Sequence, residues 1–235
     1  MEDTRANIIE RLVHEIITLD SSRPLRIAID GRTASGKTTL ANELSKAIEQ
    51  TGRPVIRTSI DGFHRPKTER YARGRYSAES YYRDARDLAA IVDLLLRPLG
   101  QDGDRKYCTA SFDLAGDVPL PLEFNVAESQ AVLLVDGTFL QRPELQPWWD
   151  FTVFVETDEY VAERRGIARD ALHLGDEELA KRLFVERYRP AFGLYTEEVD
   201  PKANADAVFG NNDFNCPTLQ IRSRPIQEKA TSALG

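Results

Sequence analysis

A glycine-bounded segment, GRTASGKT, occupies residues 31–38 and constrains the fold more than any other feature of the chain. It fits the spacing G-x-x-x-x-G-K-[ST] at every fixed position. The apolar run at 25–29 precedes it and the periodic apolar residues of 37–49 follow it, so it joins a predicted strand to a predicted helix. Backbone N–H groups in such a loop, with the positive end of the following helix, bind phosphate oxygens. The pattern therefore predicts a loop that binds the phosphates of a nucleotide.

The residue types within this loop predict how it would work. Gly31 and Gly36 permit a tight turn, Lys37 places a positive charge against the β and γ phosphates, and the Thr38 hydroxyl can coordinate Mg²⁺. We therefore expect ATP and Mg²⁺ as nucleotide and metal. The predicted nucleotide-binding residues here are Gly31, Thr33, Ala34, Ser35, Gly36, Lys37, Thr38 and Thr39.

Charge and composition exclude several other classes of protein. The chain has 31 basic and 38 acidic residues and a net charge of −7, which argues against nucleic acid or an anionic membrane as a general partner. No apolar run approaches the roughly 20 residues that span a bilayer. The charged N-terminus does not have the pattern of a secretory signal, and Cys108 and Cys216 do not make a disulfide framework. We expect a cytoplasmic protein.

Predicted strands alternate with predicted helices along the chain, which is typical of a mostly parallel sheet with helices on both faces. We expect one α/β domain over 1–235, with a small β insertion at 100–125. Within it, 1–21 holds an N-terminal helix, 62–125 the acceptor-binding region, and 158–196 a lid and the helix that follows. The predicted strands are 25–29, 55–60, 131–135, 151–155, 207–209 and an edge strand at 218–222. The predicted helices are 4–19, 37–49, 77–96, 158–172 and 176–196.

Two carboxylates follow predicted strands. Asp61 follows the strand at 55–60, and Asp136 follows the strand at 131–135. Ligands bind at the carboxyl ends of the strands in an open α/β sheet, so both should lie near the phosphate loop. Asp61 could accept a proton from an attacking hydroxyl, and Thr38, Asp61 and Asp136 are the predicted metal ligands. The alternative is that each acid caps a turn or is solvated.

Three arginines, Arg164, Arg165 and Arg169, lie on one predicted helix, and the last two share a face because they are four residues apart. Guanidinium groups balance the negative charge that moves in phosphoryl transfer. Lys37, Asp61, Arg165 and Arg169 are therefore the predicted catalytic residues, and 158–196 is the predicted lid. A solvated face, with these arginines paired to nearby acids, is the alternative.

The ordered segments GRTASGKTT, SIDGFHRP, RYSAESYYRDA, VLLVDGTFL, RRGIARD and NADAVFGNND resemble the uridine kinase and phosphoribulokinase group of P-loop kinases. The resemblance covers about 22–215. It implies the three-layer P-loop NTPase fold with a helical lid, with Asp61 as general base. It places the loop that lies against adenine at about Asn211 and Asn212. Members of the group form dimers or tetramers, which leaves a homo-oligomer open for this chain.

The resemblance also implies an acceptor, most simply the 5′-hydroxyl of a nucleoside such as uridine. The predicted acceptor-side residues are Asp61, His64, Tyr76, Tyr82, Arg83, Phe112, Asp136 and Arg164. The chain departs from uridine–cytidine kinases at three positions, with Phe112 in place of tyrosine, Asp117 in place of histidine and Tyr76 in place of aspartate. Pantothenate, glycerate or a sugar therefore stay open as small-molecule acceptors. A nucleotide-dependent switch protein without an acceptor is an alternative of another class, although the chain has no N-K-x-D motif.

Overall fold

The computed structural model describes residues 4–19 and 22–222. Its strands are β1 (Leu25–Asp30), β2 (Val55–Ser59), β3 (Lys106–Tyr107), β4 (Phe112–Asp113), β5 (Val118–Pro119), β6 (Asn125–Val126), β7 (Val132–Gly137), β8 (Phe151–Glu156), β9 (Ala207–Gly210) and β10 (Thr218–Ile221). Its α-helices are α1 (Arg5–Ile17), α2 (Lys37–Glu49), α3 (Lys67–Arg70), α4 (Ala78–Arg83), α5 (Leu88–Ile91), α6 (Glu159–Leu174), α7 (Glu177–Leu183), α8 (Arg189–Val199) and α9 (Pro201–Asn204). Single turns of 3₁₀-helix lie at Ile60–Phe63 and Gln146–Trp148, and π-helical turns lie at Val92–Leu96 and Phe184–Tyr188.

Six of the strands form one sheet in the order β10-β9-β8-β1-β7-β2. Every neighbouring pair from β9 to β2 is parallel, and only β10 runs antiparallel, along β9. The connection from β1 through α2 to β2 passes over β7, which lies between them. The predicted α/β fold with a mostly parallel sheet is confirmed.

Side chains of the central strands alternate between the two faces of the sheet because successive residues of a strand point in opposite directions. Ile27 and Ile29 pack with α1 and α2 on one face, while Ala28 packs with the helical segment 88–96 on the other. All six residues of β1 are buried, as are all six of β7. Helices thus cover both faces, which makes the three layers that the sequence predicted.

The N-terminal helix α1 begins at a hydroxyl cap. The Thr4 side chain accepts a hydrogen bond from the Asn7 N–H, and Ile8, Leu12 and Ile16 are buried along one face of the helix. These residues contact the core on the α2 side of the sheet. The helix predicted at 4–19 is confirmed, while residues 1–3 and 20–21 of the predicted N-terminal segment lie outside the described residues.

The single helix predicted at 77–96 is wrong. Between α4 and α5 the chain turns at 84–85 and pairs with another segment at 85–87, where the Asp87 N–H donates to the Phe63 carbonyl at 2.8 Å and Ala85 O accepts from the Arg65 N–H at 3.1 Å. Asp87 then caps a new helix by accepting from the Ala90 N–H at 3.0 Å. The apolar periodicity passes through this break, but pairing with the segment after β2 outweighs local helix propensity.

The small β insertion predicted at 100–125 is confirmed as two short antiparallel pairs, β3 with β6 and β4 with β5. Within it Cys108 is buried, whereas Cys216 is exposed, and neither forms a disulfide. Across 4–19 and 22–222, none of the helices combines the length and apolar character needed to cross a membrane.

The predicted lid segment consists of α6 and a nearly continuous helix made of α7, a π-helical turn and α8. Gly175, in the left-handed region at φ 70°, ends α6 and allows the chain to reverse. The two helices approach closely where Gly166 faces the Phe184 ring, since a Cβ at Gly166 would lie 1.9 Å from the ring. The pair of helices is as predicted, although the residues that face inward differ, as described below.

Candidate active site

A cavity of about 660 Å³ opens at the carboxyl ends of β1, β7 and β2, beneath α6 and the π-helical turn at Phe184–Tyr188. This is the edge of the sheet at which α/β proteins bind ligands. Several residues singled out in the sequence line it: Thr33, Ala34, Gly36, Lys37, Thr38, Thr39, Asp61, His64, Asp136, Arg165 and Arg169.

The loop at 31–36 turns tightly, with positive φ at Gly31, Ala34 and Gly36. Gly36 lies in the left-handed region at φ 98°, and a Cβ there would approach the Asn211 side-chain nitrogen to 2.3 Å. Lys37 Nζ donates to the Arg32 carbonyl across the loop at 2.6 Å. Gly31 and Ser35, both predicted nucleotide residues, lie beneath the loop rather than on the cavity wall, and Ser35 is fully buried.

Thr38 and Asp136 present two oxygens side by side at the base of the cavity. Thr38 Oγ1 donates to Asp136 Oδ2 at 2.6 Å, and Arg57 Nη2 donates to Asp136 Oδ1 at 2.5 Å. A hydroxyl and a carboxylate are hard oxygen ligands of the kind that Mg²⁺ prefers. Thr38 and Asp136 therefore fit a magnesium ion held beside the phosphate loop.

Asp61 lies in the 3₁₀ turn after β2, and its side chain is 60% exposed within the open cavity. Arg86 Nη2 donates to Asp61 Oδ1 at 2.6 Å, and the His64 Nδ1 lies 2.9 Å from the Asp61 carbonyl oxygen. His64 and Arg86 are also paired through their backbones by an isolated bridge. The segment 84–87 thus places Arg86 against the predicted general base.

The protonation states of this group follow from its surroundings. Burial lowers the pKa of Lys37 to about 8, although Asp30, Asp136 and Asp61 oppose the shift. Burial also lowers the pKa of His64 to about 4, with Arg86 adding to it, so the imidazole is neutral at pH 7. The cavity walls act to raise the pKa of Asp61, but Arg86, with smaller contributions from His64 and Lys37, holds it below its usual value. Asp61 is therefore a carboxylate at neutral pH.

Asp30 lies below the loop and connects three parts of the fold. It is fully buried and accepts hydrogen bonds from Gly31 N at 2.8 Å, Phe139 N at 3.1 Å, Gln141 Nε2 at 3.2 Å and the Tyr195 hydroxyl. Burial raises the pKa of the Asp30 carboxyl, with the hydrogen bonds acting against it. Asp30 therefore fixes the start of the phosphate loop without entering the cavity.

The loop after β9 is held against the phosphate loop. Asn211 is 4% exposed and donates through Nδ2 to the Ser35 carbonyl at 2.7 Å. Arg165 donates to the carbonyls of Asn211 and Asn212 at 2.8 and 2.7 Å. Arg169 forms an ion pair with Asp170 at 2.8 Å. Both arginines line the cavity, but Arg165, predicted as catalytic, also holds the loop at 211–212.

Five residues predicted for the acceptor side do not line this cavity. The Tyr82 ring is in the core with its hydroxyl on Glu198, and Arg83 pairs with Glu79 and Glu198. Because α4 is short and packs on α8, these side chains point toward α8 and away from the cavity.

The other three of these predicted acceptor-side residues are also held outside the cavity by local packing. The Tyr76 ring stacks under Arg182, with 3.9 Å from the guanidinium carbon to the ring centroid, and Phe112 is buried in β4, 6% exposed. Arg164 is on the outer face of α6 and lines a separate surface groove, because only Arg165 and Arg169 share the inward face.

The cavity also contains residues that the sequence prediction left out. Arg70, Tyr71, Arg86, Arg187 and Tyr188 also line it. No motif marks Arg86, because its position depends on the break between α4 and α5. Arg187 follows the predicted lid arginines on the next helix, where spacing alone could not distinguish it from the exposed Arg182 and Arg189.

Comparison with protein families gives one match that covers most of the chain. The model of the phosphoribulokinase/uridine kinase family matches residues 26–213. The chain belongs to this family. Membership confirms the resemblance inferred from the ordered motifs and makes the protein a uridine kinase-like P-loop kinase.

Individual members of the family are similar over nearly their whole lengths. Uridine-cytidine kinase B of Dictyostelium discoideum is 26% identical over 216 residues, which cover 90% of this chain and 85% of that protein. A uridine kinase of Lactobacillus johnsonii is 24% identical over 88% of this chain and 98% of its own length. The structure of a possible uridine kinase from Bacillus stearothermophilus superposes with a TM-score of 0.67 at 26% identity and covers 86% of this chain and 97% of that one.

Proposed function

We propose that the protein transfers the γ-phosphoryl group of ATP to a hydroxyl group of a small molecule, with Mg²⁺ as cofactor. The observation that carries the proposal is the pair of Asp61 and Arg86, joined at 2.6 Å in the same cavity as Lys37 and Thr38. A phosphate-binding loop alone would serve any nucleotide-binding protein. A carboxylate kept ionised beside it provides the base that an acceptor hydroxyl needs.

The phosphate-binding residues and Asp61 have different proposed parts in the reaction. Backbone N–H groups of 33–38 and Lys37 would hold the phosphates, and Thr38 and Asp136 would hold Mg²⁺, which would neutralise negative charge on the phosphates. Asp61 accepts a hydrogen bond from the acceptor hydroxyl and takes its proton as the oxygen attacks phosphorus. Arg169 lies over the cavity, where its charge would stabilise the transferred group.

The acceptor is the less determined part of the reaction. Relatives named uridine kinases make uridine the reference acceptor. The residues expected to surround a nucleoside, Tyr76, Tyr82, Arg83 and Phe112, lie outside the cavity, so a different set of contacts would have to bind any acceptor. A switch protein without an acceptor is the alternative of another class, and the Asp61–Arg86 pair favours the kinase over it.

The test is ADP release from ATP and Mg²⁺ across a panel of uridine, cytidine, pantothenate, glycerate and sugars, with product identified by mass spectrometry. We expect one compound to stimulate release, and Lys37→Ala and Asp61→Asn each to abolish the stimulation. Nucleotide binding by Asp61→Asn should persist, because Asp61 is not part of the phosphate loop. Slow hydrolysis that no hydroxyl compound stimulates, and that Asp61→Asn leaves unchanged, would contradict the kinase proposal.

A further inference from the structure

Three buried arginines lie in the cavity that also contains the phosphate loop. Arg70, Arg86 and Arg187 are 3%, 6% and 7% exposed, and all three line the cavity. They come from α3, from the segment 84–87 and from the π-helical turn before α8. Three distant stretches of sequence thus bring guanidinium groups to one place.

Shared aromatic rings hold the three groups together. Arg70 and Arg187 each lie 5.1 Å from the centroid of the Tyr71 ring. Arg187 and Arg86 lie 4.7 and 5.5 Å from the centroid of the Tyr81 ring. Cation–π contacts orient a guanidinium group without using its N–H donors. The rings therefore position the arginines, with the Tyr71 hydroxyl also hydrogen-bonded to Arg187 and the Tyr81 hydroxyl to Arg86.

Several of those donors have no partner within the described residues. They are Nε of Arg70, Nε of Arg187, and Nε and Nη1 of Arg86, all buried. Buried N–H groups are nearly always hydrogen-bonded, so four unpartnered donors on three arginines that line one cavity indicate a positive cluster whose own neighbours do not satisfy it. A guanidinium group donates two parallel bonds to a planar carboxylate or to phosphate oxygens.

The ion pairs of the three arginines also indicate a site for an anion. Asp117 pairs with Arg70 at 2.8 Å and Asp61 pairs with Arg86 at 2.6 Å, while Arg187 has no salt-bridge partner in 4–19 and 22–222. A buried cation without a counter-charge is costly. The ATP phosphates would be matched by Lys37 and the arginines of α6, which leaves the charge of Arg187 without a counter-charge. Positive charge therefore remains on the acceptor side.

We propose that the acceptor carries an anionic group, a carboxylate or a phosphate, bound by Arg70, Arg86 and Arg187 while its hydroxyl faces Asp61. This rests on the kinase function proposed above and names its substrate class. The hydroxyl proton passes to Asp61, the oxygen forms a bond to the γ phosphorus, and the bond from that phosphorus to the bridging oxygen breaks. ADP leaves with the electron pair, and the product carries two anionic groups.

The first test compares related acceptors with and without an anionic group. Glycerol, D-glycerate and glycerol 3-phosphate form one matched set, and pantothenol and pantothenate form another, with uridine as the neutral reference. We expect an anionic member to be phosphorylated with kcat/KM at least tenfold above its neutral counterpart. Phosphorylation of uridine or glycerol as efficiently as any anionic compound would overturn the inference and leave the kinase function intact.

The second test measures binding without turnover. The protein is saturated with Mg²⁺ and a non-hydrolysable ATP analogue, so that the phosphate loop is filled, and is titrated calorimetrically with inorganic phosphate and with D-glycerate. We expect one of them to bind, Arg187→Gln to weaken binding by on the order of tenfold or more, and Arg187→Lys to lose less. Melting temperatures identify any variant that fails to fold, and Arg70→Gln provides a second, independent change.

Arg189→Gln is the matched control for these variants. Arg189 lies two residues beyond Arg187, is 42% exposed and pairs with Glu163 at 3.4 Å on the outside. The Arg189→Gln variant should bind the anion with the affinity of the wild-type protein. Failure of both anions to bind the filled protein, or equal loss in Arg187→Gln and Arg189→Gln, would overturn the anion site whatever the acceptor assay shows. Anion binding without any phosphorylation would retain the site and count against the kinase function instead.

Discussion

Lys37 is an ammonium group that the fold has largely removed from water. It is 8% exposed, and burial lowers its pKa to about 8 even though three carboxylates lie near enough to oppose the shift. The group therefore loses its proton within a pH range where the protein can be assayed. Phosphates bound to the loop would favour the charged form strongly.

Nucleotide affinity should consequently depend on pH. Below pH 8 the lysine is charged before ATP binds, so affinity should be nearly constant. Above pH 8 the free protein must first take up a proton, and affinity should fall by up to about tenfold per pH unit until the raised pKa of the bound state is reached. Titrations from pH 7 to pH 10 in buffers of different ionisation enthalpy would show both the loss and the proton uptake.

Lys37→Met is the control for this dependence, because it cannot gain a proton. Its affinity should be lower throughout and flat across the same range. A wild-type affinity that is also flat between pH 8 and pH 10 would show that Lys37 stays charged without nucleotide.

Arg86 should set the pH range in which Asp61 acts as a base. Since the Arg86 guanidinium holds the pKa of Asp61 below its usual value, the acid limb of kcat/KM should lie at low pH. In Arg86→Gln the pKa of Asp61 rises, and the limb should move up by about one pH unit or more. An acid limb at the wild-type position, despite reduced kcat/KM, would show that Arg86 acts only on acceptor binding.

At the scale of elements, the loop at 211–214 is held by helices from opposite ends of the chain. Arg5 of α1 donates to Asn211 Oδ1 at 3.2 Å and to the Phe214 carbonyl at 3.0 Å, while its guanidinium lies 4.0 Å from the Phe214 ring centroid. Arg165 of α6 holds the same loop from the other side. The helix α1 lies outside the family match at 26–213 and nevertheless contacts a loop that the family resemblance assigns to adenine.

Removing this contact should weaken ATP binding more than turnover. In Arg5→Ala the Asn211 amide loses a donor that fixes its orientation, and we expect KM for ATP to rise about three- to tenfold with little change in kcat. Arg5→Lys should recover part of the loss. Glu10→Ala, an exposed change on the same helix, should leave KM unchanged. Equal effects of Arg5→Ala on KM and kcat would argue against a role specific to the nucleotide.

The elements that were predicted correctly are those fixed by local pattern. The strand at 25–29, the phosphate loop and helix 37–49 were recognisable because apolar periodicity, glycine spacing and Lys37 lie within one short stretch. The helix 77–96 was wrong because its apolar spacing continues through 84–87, where hydrogen bonds to Phe63 and Arg65 stop the helix. Arg86 was missed for the same reason, since only that tertiary pairing brings it to Asp61.

At the scale of the whole molecule, Asp30 joins the sheet to the helical layer. Its oxygens bind the first residue of the phosphate loop, the turn after β7 and the Tyr195 hydroxyl of α8. Tyr195 is fully buried, and its ring packs against the rings of Phe139 and Tyr82. One carboxyl group therefore couples the loop to the packing of α4 and α8.

Asp30→Ala should destabilise the whole protein. It leaves two backbone N–H groups and the Tyr195 hydroxyl without their buried acceptor, although Gln141 Nε2 keeps its bond to the Pro201 carbonyl, and the free energy of unfolding should fall by about 3 kcal/mol or more. For a chain of 235 residues this is a drop in Tm of roughly 6–12 °C. Asp30→Asn keeps one acceptor oxygen and should lose less. Calorimetric melting curves distinguish the two, and an unchanged Tm in Asp30→Ala would contradict the proposed coupling.

The two halves of the cavity differ in how they are built. The nucleotide half, which contains the phosphate loop, Thr38 and Asp136, lies at the ends of central strands. The other half contains Arg70, Arg86 and Arg187, which come from a short helix, the link at 84–87 and a π-helical turn outside the sheet. Changes in those outer pieces can accumulate without disturbing the frame on which the nucleotide half depends. Natural variation in related proteins should therefore change the acceptor far more readily than the mechanism of phosphoryl transfer. Directed evolution towards a new acceptor should target the segments that carry Arg70, Arg86 and Arg187.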